Sequence, residues 1–292
     1  MNMINIEKGF CLMQKPDSVI TIGQSTVQHG TYNDRVYLIK LHLSDYPFII
    51  NEIRELAEKY NYSKVFAKIH PSAKDGFIQA GFEQEASIPD FYNSGSPVLF
   101  MSLFRNQKRK EYANYSLLSE IIKQSETWQT EARSPQLPSG WKSFECSFDD
   151  IVEMTHIYKE VFPTYPFPIH DPVFIKSTME SGVFYYAIRD NNNQLVALSS
   201  ADTDSSSFSA EMTDFATRPC ARGNHCGLHL LSRMDEEMQI KGIKTAFTIA
   251  RSASYGMNKI FKQRNYLFSG SLIKNTNICG SLEDMNIWYK QL

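Results

Sequence analysis

Short runs of apolar and β-branched residues dominate residues 9–104 and predict a first half built mainly of strands. Gly30 marks a turn between two of these runs. Ser44 or Asp45 can cap the helix that follows. The predicted strands cover residues 10–13, 19–22, 36–41, 64–69 and 97–104, with another from Gly81, and the predicted helices cover residues 46–60 and a short segment ending at Ala80.

The second half mixes both periodicities and predicts a mixed α+β domain. Apolar residues at helical spacing follow Gly227, and Gly242 is placed to end that helix in a left-handed conformation. The predicted order is β, α, α, β, β, β, α, β, α, β, β. The strands cover residues 141–147, 184–188, 195–199, 208–217, 244–250, 266–273 and 285–290, and the helices cover residues 151–161, 173–180, 228–241 and 252–262.

A change of character between residues 105 and 140 separates the two halves. Residues 105–110 are strongly basic, residues 112–129 are compatible with a helix, and residues 134–140 contain two prolines and a glycine that favour a linker. The sequence therefore predicts two domains, residues 1–135 and residues 136–292. A length of 292 residues is sufficient for two domains, although it also allows one large one.

Composition and charge narrow the classes of function. The apolar fraction of 42% and the net charge of −2 are typical of a soluble globular protein without a general basic field for nucleic acid. No run of 18 apolar residues and no N-terminal secretory pattern occur, so neither a membrane partner nor export is expected. Five scattered cysteines favour the reducing cytoplasm. Cys220, His225 and Cys226 lack a second Cys/His pair at a suitable spacing, so no metal site is expected.

The candidate chemistry centres on residues 210–231, which predict a strand, a tight loop and a helix. Pro219 interrupts the strand, and glycines at 223 and 227 allow a close backbone approach. Free N–H groups in the loop and the positive end of the helix together favour an anion.

The run Arg-Gly-Asn-His-Cys-Gly at residues 222–227 resembles the acyl-CoA pyrophosphate loop of GNAT-type N-acetyltransferases. His225 departs from the pattern, because that family usually has glycine there. An ordinary glycine-rich helix start would show the same six residues. The element order of residues 141–292 resembles the GNAT fold as well. Residues 64–82 repeat, more weakly, the strand–helix–strand pattern of residues 244–266. This repeat suggests two GNAT-like domains in tandem, the first without a phosphate loop; the alternative is chance recurrence of a common βαβ unit.

The resemblance implies acetyl-CoA as cosubstrate and a set of residues that bind it. The backbone of the strand end would hold the pantetheine arm, the loop would hold the pyrophosphate, and a helix residue near 258 would contact the cofactor. The implied residues are Phe215, Ala216, Thr217, Arg222, Gly223, Asn224, His225, Cys226, Gly227, Leu228 and Asn258.

Acetyl transfer to an amine also requires a base, because an alkylammonium of pKa ~10.4 is not nucleophilic at neutral pH. Glu211 lies at the strand position where some GNAT enzymes carry a general-base glutamate; a salt-bridged strand carboxylate is the alternative. Asp214 has the other strand parity, so we expect it on the opposite face of the sheet. Phe261 replaces the tyrosine that often protonates the leaving thiolate in this family. Tyr255 or a water would then serve instead, or the thiolate would leave as such.

Longer segments resemble one GNAT subfamily, the β-lysine N-acetyltransferases, which make the compatible solute Nε-acetyl-β-lysine. They include Asn-Asp-Arg-Val-Tyr at residues 33–37 and a proline-rich aromatic loop at residues 162–172, expected either to fold over a ligand or to seal the core. This resemblance implies a small-molecule amine substrate and a cytoplasmic role in osmotic adaptation. Tyr165, Asp214 and Arg251 are the candidate substrate-binding residues.

Two kinds of alternative remain open from the sequence. The acceptor could be another small amine or a protein lysine, or the chain could be a non-catalytic CoA-binding or sensing module, since residues 225 and 261 both depart from the family pattern. The first half is expected either to shape the substrate pocket or to form the surface of a homodimer.

Overall fold

The first sheet is built from the short strands that the sequence predicts. The computed structural model of the protein describes residues 16–92, 95–130, 135–278 and 280–292, so the strand predicted at residues 10–13 lies outside the described residues. Within the described chain the first sheet has six strands in the order β1-β2-β3-β4-β6-β5. They are β1 (Ser18–Ile22), β2 (Ser25–Gly30), β3 (Arg35–Lys40), β4 (Lys64–Ile69), β5 (Glu83–Ile88) and β6 (Val98–Phe104).

Two helices accompany this sheet. Helix α1 (Phe48–Lys59) joins β3 to the parallel strand β4, and α2 (Lys74–Gln79) precedes β5. The buried residues of α1 recur at helical spacing, and they pack with β2, β3 and β4 into one core: Ile49, Ile50, Ile53 and Ala57.

The second sheet has seven strands in the described chain, in the order β12-β13-β11-β10-β9-β8-β7. Its strands are β7 (Lys142–Glu145), β8 (Val183–Arg189), β9 (Leu195–Asp204), β10 (Ser209–Thr217), β11 (Thr245–Arg251), β12 (Leu267–Ile278) and β13 (Ser281–Gln291). The helices of this half are α4 (Ile151–Val161), α5 (Pro172–Glu180), α6 (Cys226–Ile240) and α7 (Tyr255–Gln263). None of the described helices has both the length and the apolar character needed to cross a membrane.

The two sheets share one topology. In the first, β3, α1, β4, α2, β5 and β6 follow each other, and β4 and β5 both pair with β6. In the second, β10, α6, β11, α7, β12 and β13 do the same, and β11 and β12 both pair with β13. Each sheet has one pair of parallel strands. Tyr37 lies opposite Phe66 in the pair of the first sheet, and Glu211 lies opposite Phe247 in the pair of the second. The protein is therefore a mixed α/β structure with two GNAT-like folds in tandem.

The turns before α1 and α6 differ, although they occupy the same place in the repeat. The β3–α1 turn, residues 41–47, contains no glycine, and Asp45 is buried in it. The Asp45 carboxylate accepts hydrogen bonds from the backbone N–H of Gln24 at 2.8 Å and from the hydroxyl of Ser25 at 2.6 Å. A buried carboxylate at this turn opposes the binding of a phosphate.

The two sheets pack directly against each other. Phe66 and Phe100 of the first sheet share an apolar cluster with Phe247 and Ile287 of the second. Strands β5 and β12 approach closely at Gly270, where a Cβ would clash with the carbonyl oxygen of Glu85. A side chain at this position would force the sheets apart.

A buried ion pair reinforces this contact. The Lys64 ammonium lies 2.9 Å from the Glu85 carboxylate and donates to the carbonyl oxygen of Ile273 at 2.8 Å. Burial lowers the pKa of Lys64 to about 8, and the charge of Glu85 opposes this shift. The same carboxylate accepts from the backbone N–H of Ile273 at 2.7 Å, so each buried polar group has a partner across the interface.

The segment between the sheets forms a shorter helix than the sequence suggests. Helix α3 (Tyr115–Ser125) replaces the predicted helix at residues 112–129 and begins where the Asn114 side chain accepts from the Leu117 N–H at 3.1 Å. Just before it, the N–H of Ala113 donates to Asp284 of β13 at 2.8 Å. We propose a domain boundary near residue 135, between α3 and β7.

Candidate active site

The central feature of the second half is a gap between two neighbouring parallel strands. β10 and β11 pair over only three residues, Ser209–Glu211 with Thr245–Phe247, whereas β11 pairs with β13 along its whole length. Beyond Glu211 no described strand pairs with this edge of β10. A cavity of about 760 Å³ is lined by residues of both strands at this point. Backbone N–H and C=O groups on the open edge are available to a bound molecule.

A β-bulge in β10 brings two carboxylates to the same cavity. The pairing of β10 with β9 shifts between Thr213 and Ala216, and Asp214 has a left-handed φ of +55°. The expectation that Glu211 and Asp214 face opposite sides of the sheet was wrong, because the bulge adds a residue and reverses the alternation. Both side chains line the cavity.

Glu211 has the electrostatic character of a base that works near neutral pH. Burial raises its pKa to about 7, the charge of Lys68 opposes the shift, and the charges of Asp202 and Asp214 add to it. No Lys, Arg or His nitrogen among the described residues lies within 4.0 Å of its carboxylate. Glu211 therefore does not match the alternative prediction, which was a strand carboxylate held in a salt bridge. A carboxylate with this pKa can accept a proton and release it within the physiological range.

Asp214 is held by hydrogen bonds rather than by a cation. The Tyr165 hydroxyl donates to one carboxylate oxygen, and the Ser200 hydroxyl donates to the other at 2.7 Å. Burial raises the pKa of Asp214, while these two hydrogen bonds act in the opposite direction. Tyr165 and Asp214, both predicted as substrate-binding residues, therefore lie together at the cavity.

The proline-rich aromatic loop covers one side of this cavity. Phe162 and Phe167 pack against the core beneath α4 and α5 and also line the cavity, so the loop seals the core, and its folding over a ligand stays a prediction. Gln28 of the first sheet donates to the Pro166 carbonyl at 3.5 Å, and the hydroxyl of Thr164 accepts from the Gly280 N–H at 3.0 Å. The loop is thus tied to both sheets.

The loop before α6 has the backbone that the sequence predicts for an anion site. Gly223 has φ of +84°, and His225 has φ of +57° as the last residue before the helix. Histidine tolerates this left-handed conformation better than most residues, which explains how it replaces glycine. Arg222, Gly223 and His225 are exposed, and the Asn224 side chain donates to the Ala221 carbonyl at 3.1 Å.

The remaining predicted loop residues can contribute only through their backbone. Cys226 and Leu228 are buried in the core beneath the helix, and burial raises the pKa of the Cys226 thiol to about 11. A Cβ on Gly227 would lie 2.9 Å from the Ile260 side chain of α7. Small size at Gly227 therefore allows α6 and α7 to pack closely.

The predicted pantetheine contacts lie along the open edge of β10. Phe215 lines the cavity and packs edge-on against Phe261, with ring centroids 5.7 Å apart. Ala216 is buried, and Thr217 is partly exposed. Both residues pair with β9 on one side only, so their other edge faces the gap.

Asn258 is placed differently from the expectation of a cofactor contact. Its side chain is fully buried, and its amide donates to the Ser254 carbonyl at 2.7 Å and to the Arg251 carbonyl at 3.0 Å. Its carbonyl oxygen accepts from the Asn286 amide and the Trp288 indole, both at 2.8 Å. The side chain is therefore engaged in tying α7 to β11 and β13, and a cofactor contact of Asn258 stays a prediction that its side chain does not support.

Two further expectations concern the edges of the site. Arg251 lines the cavity and lies 3.1 Å from the Glu283 carboxylate, so it is already paired with an acid. Tyr255, considered as a substitute for the missing tyrosine at Phe261, is exposed and contacts the Trp128 ring at 5.1 Å. Phe261 itself is fully buried.

Side chains of the first sheet that line the cavity were not among the predicted site residues. Arg35 and Tyr37 of β3 and Lys68 of β4 line the same cavity as Glu211. Burial raises the pKa of Tyr37, and the charge of Glu211 adds to this, so the two side chains interact electrostatically. The run at residues 33–37 was the available signal, since it contributed to the subfamily resemblance.

Two parallel strands that separate after three paired residues, a buried carboxylate beside the gap and a glycine-containing loop before a helix are the arrangement expected of a GNAT-type N-acetyltransferase. No family model matches the chain. It is 35% identical over 280 residues to beta-lysine N(6)-acetyltransferase of Methanococcus maripaludis, covering 94% of this chain and 98% of the relative. The chain therefore belongs to the same family as this enzyme.

The comparisons also found other similar proteins. The chain is 30% identical to beta-lysine N(6)-acetyltransferase of Methanosarcina mazei, over 76% of this chain and 80% of the relative. It is 29% identical to N-acetyltransferase YodP of Bacillus subtilis, over 92% of this chain and 96% of the relative. Among solved structures, a spermidine N-acetyltransferase SpeG mutant from Vibrio cholerae matches with a TM-score of 0.45 and 13% identity, over 53% of this chain and 95% of that chain.

Proposed function

We propose that the protein transfers acetyl from acetyl-CoA to the terminal amine of β-lysine, giving Nε-acetyl-β-lysine. The observation that carries the proposal is Glu211, a carboxyl group whose pKa is raised to about 7, beside the gap between β10 and β11. The activity for which the Methanococcus and Methanosarcina relatives are named supports the choice of acceptor.

The chemistry follows from the groups around the gap. The terminal ammonium gives a proton to the Glu211 carboxylate, and the neutral nitrogen then attacks the thioester carbonyl carbon. Backbone N–H groups on the open edge of β10 stabilise the negative charge that develops on the carbonyl oxygen. The carbon–sulfur bond breaks, the nitrogen gives its second proton to solvent water as the amide forms, and CoA leaves as the thiolate. No protein proton donor is assigned to the thiolate, because buried Phe261 stands where related enzymes have tyrosine.

The donor is proposed to lie along elements that the structure already describes. The pantetheine arm would follow the backbone of Phe215, Ala216 and Thr217 on the open edge. The pyrophosphate would rest on the N–H groups from Arg222 to Leu228, at the start of the 15-residue helix α6.

The cellular context is part of the same proposal. Nε-acetyl-β-lysine carries no net charge at neutral pH, which suits a compatible solute made in the cytoplasm during osmotic stress. We propose a small-molecule amine as the partner, with neither nucleic acid nor membrane required and a homodimer as the candidate assembly.

A thiol-release assay tests the proposal. Purified protein with acetyl-CoA is mixed with β-lysine, lysine, spermidine or a lysine peptide, and free CoA is followed with time. We expect β-lysine to give the highest kcat/KM. Binding of CoA without acceleration by any amine would instead support a sensing module, and preference for another amine would replace the acceptor.

The pH profile of kcat/KM should shift in opposite directions when one or the other of two charged neighbours of Glu211 is made neutral. The base acts when deprotonated, so kcat/KM should rise with pH through an apparent pKa near that of Glu211, about 7. Asp202→Asn removes a repulsive charge, which lowers this pKa and moves the curve to lower pH. Lys68→Gln removes an attractive charge and moves it to higher pH, each by on the order of half a pH unit.

Exposed Glu236 of α6 provides the control for this pair. Glu236→Gln changes the net charge as much as Asp202→Asn but lies outside the set of residues that line the cavity. Its profile should overlay that of the unmodified protein. Equal shifts in Asp202→Asn and Glu236→Gln would show that net charge, rather than the neighbourhood of Glu211, sets the profile.

A further inference from the structure

The wall of the cavity that belongs to the first sheet contains a buried cation. Arg35 begins β3, is only 3% exposed and lines the cavity. One terminal nitrogen of its guanidinium donates to the Asn275 carbonyl and to the Thr276 hydroxyl at 3.3 Å. The other terminal nitrogen donates to the Gln28 side chain at 3.3 Å. All three acceptors are neutral.

No carboxylate among the described residues pairs directly with this charge; Asp17 favours the cation only through a longer-range Coulombic interaction. No carboxylate there lies within 4.0 Å of the Arg35 guanidinium, and its Nε has no hydrogen-bond partner. Burial lowers the pKa of Arg35 to about 10, so the group remains a cation at neutral pH. The Tyr37 ring, 5.0 Å from the guanidinium carbon, supplies a weaker cation–π contact. A buried cation without an acid is costly unless an anion arrives with the ligand.

The charges around the cavity differ between its two walls near Glu211. Asp202, Glu211 and Asp214 line it from β9 and β10, and Arg35 and Lys68 line it from the first sheet. The other charged lining residues are Lys40 and Asp204, which pair with each other, Arg251, which pairs with Glu283, and exposed Arg222 in the loop before α6. The difference between the two walls does not match a simple diamine, whose two cations would satisfy the acidic wall and leave the guanidinium unpaired. An acceptor that carries amines at one end and a carboxylate at the other matches both walls.

The spacing along β3 is compatible with such an acceptor. Arg35 and Tyr37 lie on the same face of the strand, about 7 Å apart along its axis. Tyr37 lines the same cavity as Glu211, the proposed base, and the two side chains interact electrostatically. An extended amino acid can therefore place its terminal amine at Glu211 while its carboxylate lies near Arg35.

We propose that Arg35 receives the carboxylate of the acceptor, and that the first sheet thereby selects amino acids over amines without a carboxylate. This inference rests on the proposed acetylation of an amino-acid amine. It gives the domain without a phosphate loop a specific role in substrate choice, distinct from a purely structural one.

The first test uses the unmodified protein and two acceptors of the same skeleton. Pentane-1,4-diamine is β-lysine without its carboxylate. A charge-assisted hydrogen-bonded pair is worth about 1.5–3 kcal/mol, so we expect β-lysine to be favoured about 10–150-fold in kcat/KM. Calorimetric titration of both compounds into the CoA-bound protein should show the same preference without turnover. Equal values for the two acceptors would overturn the inference.

The second test changes the cation itself. Arg35→Gln should lower kcat/KM for β-lysine about 10–100-fold and that for pentane-1,4-diamine less than about threefold, because only one of them has the carboxylate. Arg35→Lys keeps the charge and should retain part of the preference. Lys68→Gln removes the other cation of the same wall and should preserve the ratio between the two acceptors.

Several outcomes would contradict the assignment. If a folded Arg35→Gln protein loses kcat/KM equally for both acceptors, Arg35 has a structural role. If only the KM for acetyl-CoA rises, Arg35 contacts the donor and not the acceptor. Loss of the preference in Lys68→Gln but not in Arg35→Gln would move the role to Lys68. If Arg35→Gln does not fold, as judged by urea denaturation, the Arg35→Lys variant and the comparison of the two acceptors still test whether Arg35 binds the carboxylate. If no amine is acetylated, the proposed function fails, while calorimetry still measures the carboxylate preference.

Discussion

Glu211→Gln is expected to lower kcat about 10²–10⁴-fold while leaving the affinity for acetyl-CoA nearly as it was. The amide has almost the same size and shape as the carboxyl group, but it cannot accept the proton of the incoming ammonium. The residue also lies in the paired part of β10, before the open edge where the thioester arm is proposed to bind. Steady-state kinetics with β-lysine and a CoA titration separate the two effects.

Asp202→Asn is the matched control for this substitution. Asp202 lies directly opposite Glu211 on β9 and lines the same cavity, so it tests the loss of a carboxylate at nearly the same place. At a pH well above 7 we expect its kcat to stay within about threefold of the unmodified value, since the base remains. A Glu211→Gln protein that keeps its rate from about pH 6 to 9 would remove Glu211 from the mechanism.

Gly223→Asp is expected to weaken acetyl-CoA binding by on the order of 100-fold, since like charges brought together cost several kcal/mol. Gly223 lies in the exposed turn before α6, where a Cβ would meet no other atom within 4 Å, so the new side chain has room. Its carboxylate would lie where the pyrophosphate is proposed to rest. The dissociation constant from calorimetry and the KM for acetyl-CoA both measure the effect.

Gly242→Asp controls for the backbone strain in that experiment. Gly242 has φ of +80°, close to the +84° of Gly223, and it also has open space around it, but it lies after the other end of α6. Both variants carry the same strain and the same added charge. Equal acetyl-CoA affinity in the two proteins would contradict the proposed pyrophosphate site.

The order of the elements in the second half was predictable because each has a strong local pattern. The short apolar runs of β8 and β9 and the apolar stripe of α6 identify these elements. Element ends were less accurate: β12 was predicted to end at residue 273 and runs to Ile278. That extension depends on pairing with β13 in a hairpin, and the pairing is not visible in either strand alone.

The geometry of the site was less predictable than its residues. Glu211 and Asp214 were both chosen from the sequence, but their common orientation depends on a bulge at a non-glycine residue with positive φ. Strand periodicity assumes that no such bulge occurs. Asn258 shows the opposite problem, because its helical position is the same whether its amide faces a cofactor or the core.

Arg35, Tyr37 and Lys68 could not be assigned to the site because their role depends on contact between the two sheets. In the sequence, β3 and β4 have the pattern of ordinary strands of another domain. Only the packing of Phe66 and Phe247 into one cluster brings their polar neighbours to the cavity of the second sheet. Local patterns contain no information about such a long-range contact.

The buried Asp45 carboxylate lies in the turn between β3 and α1, which the repeat places where the second sheet has its glycine-containing loop. A carboxylate in this turn and the lack of a glycine there both oppose the binding of a second pyrophosphate. We therefore expect calorimetry to give one acetyl-CoA bound per chain despite the duplicated architecture. A sigmoidal response of the rate to acetyl-CoA would then indicate coupling between chains.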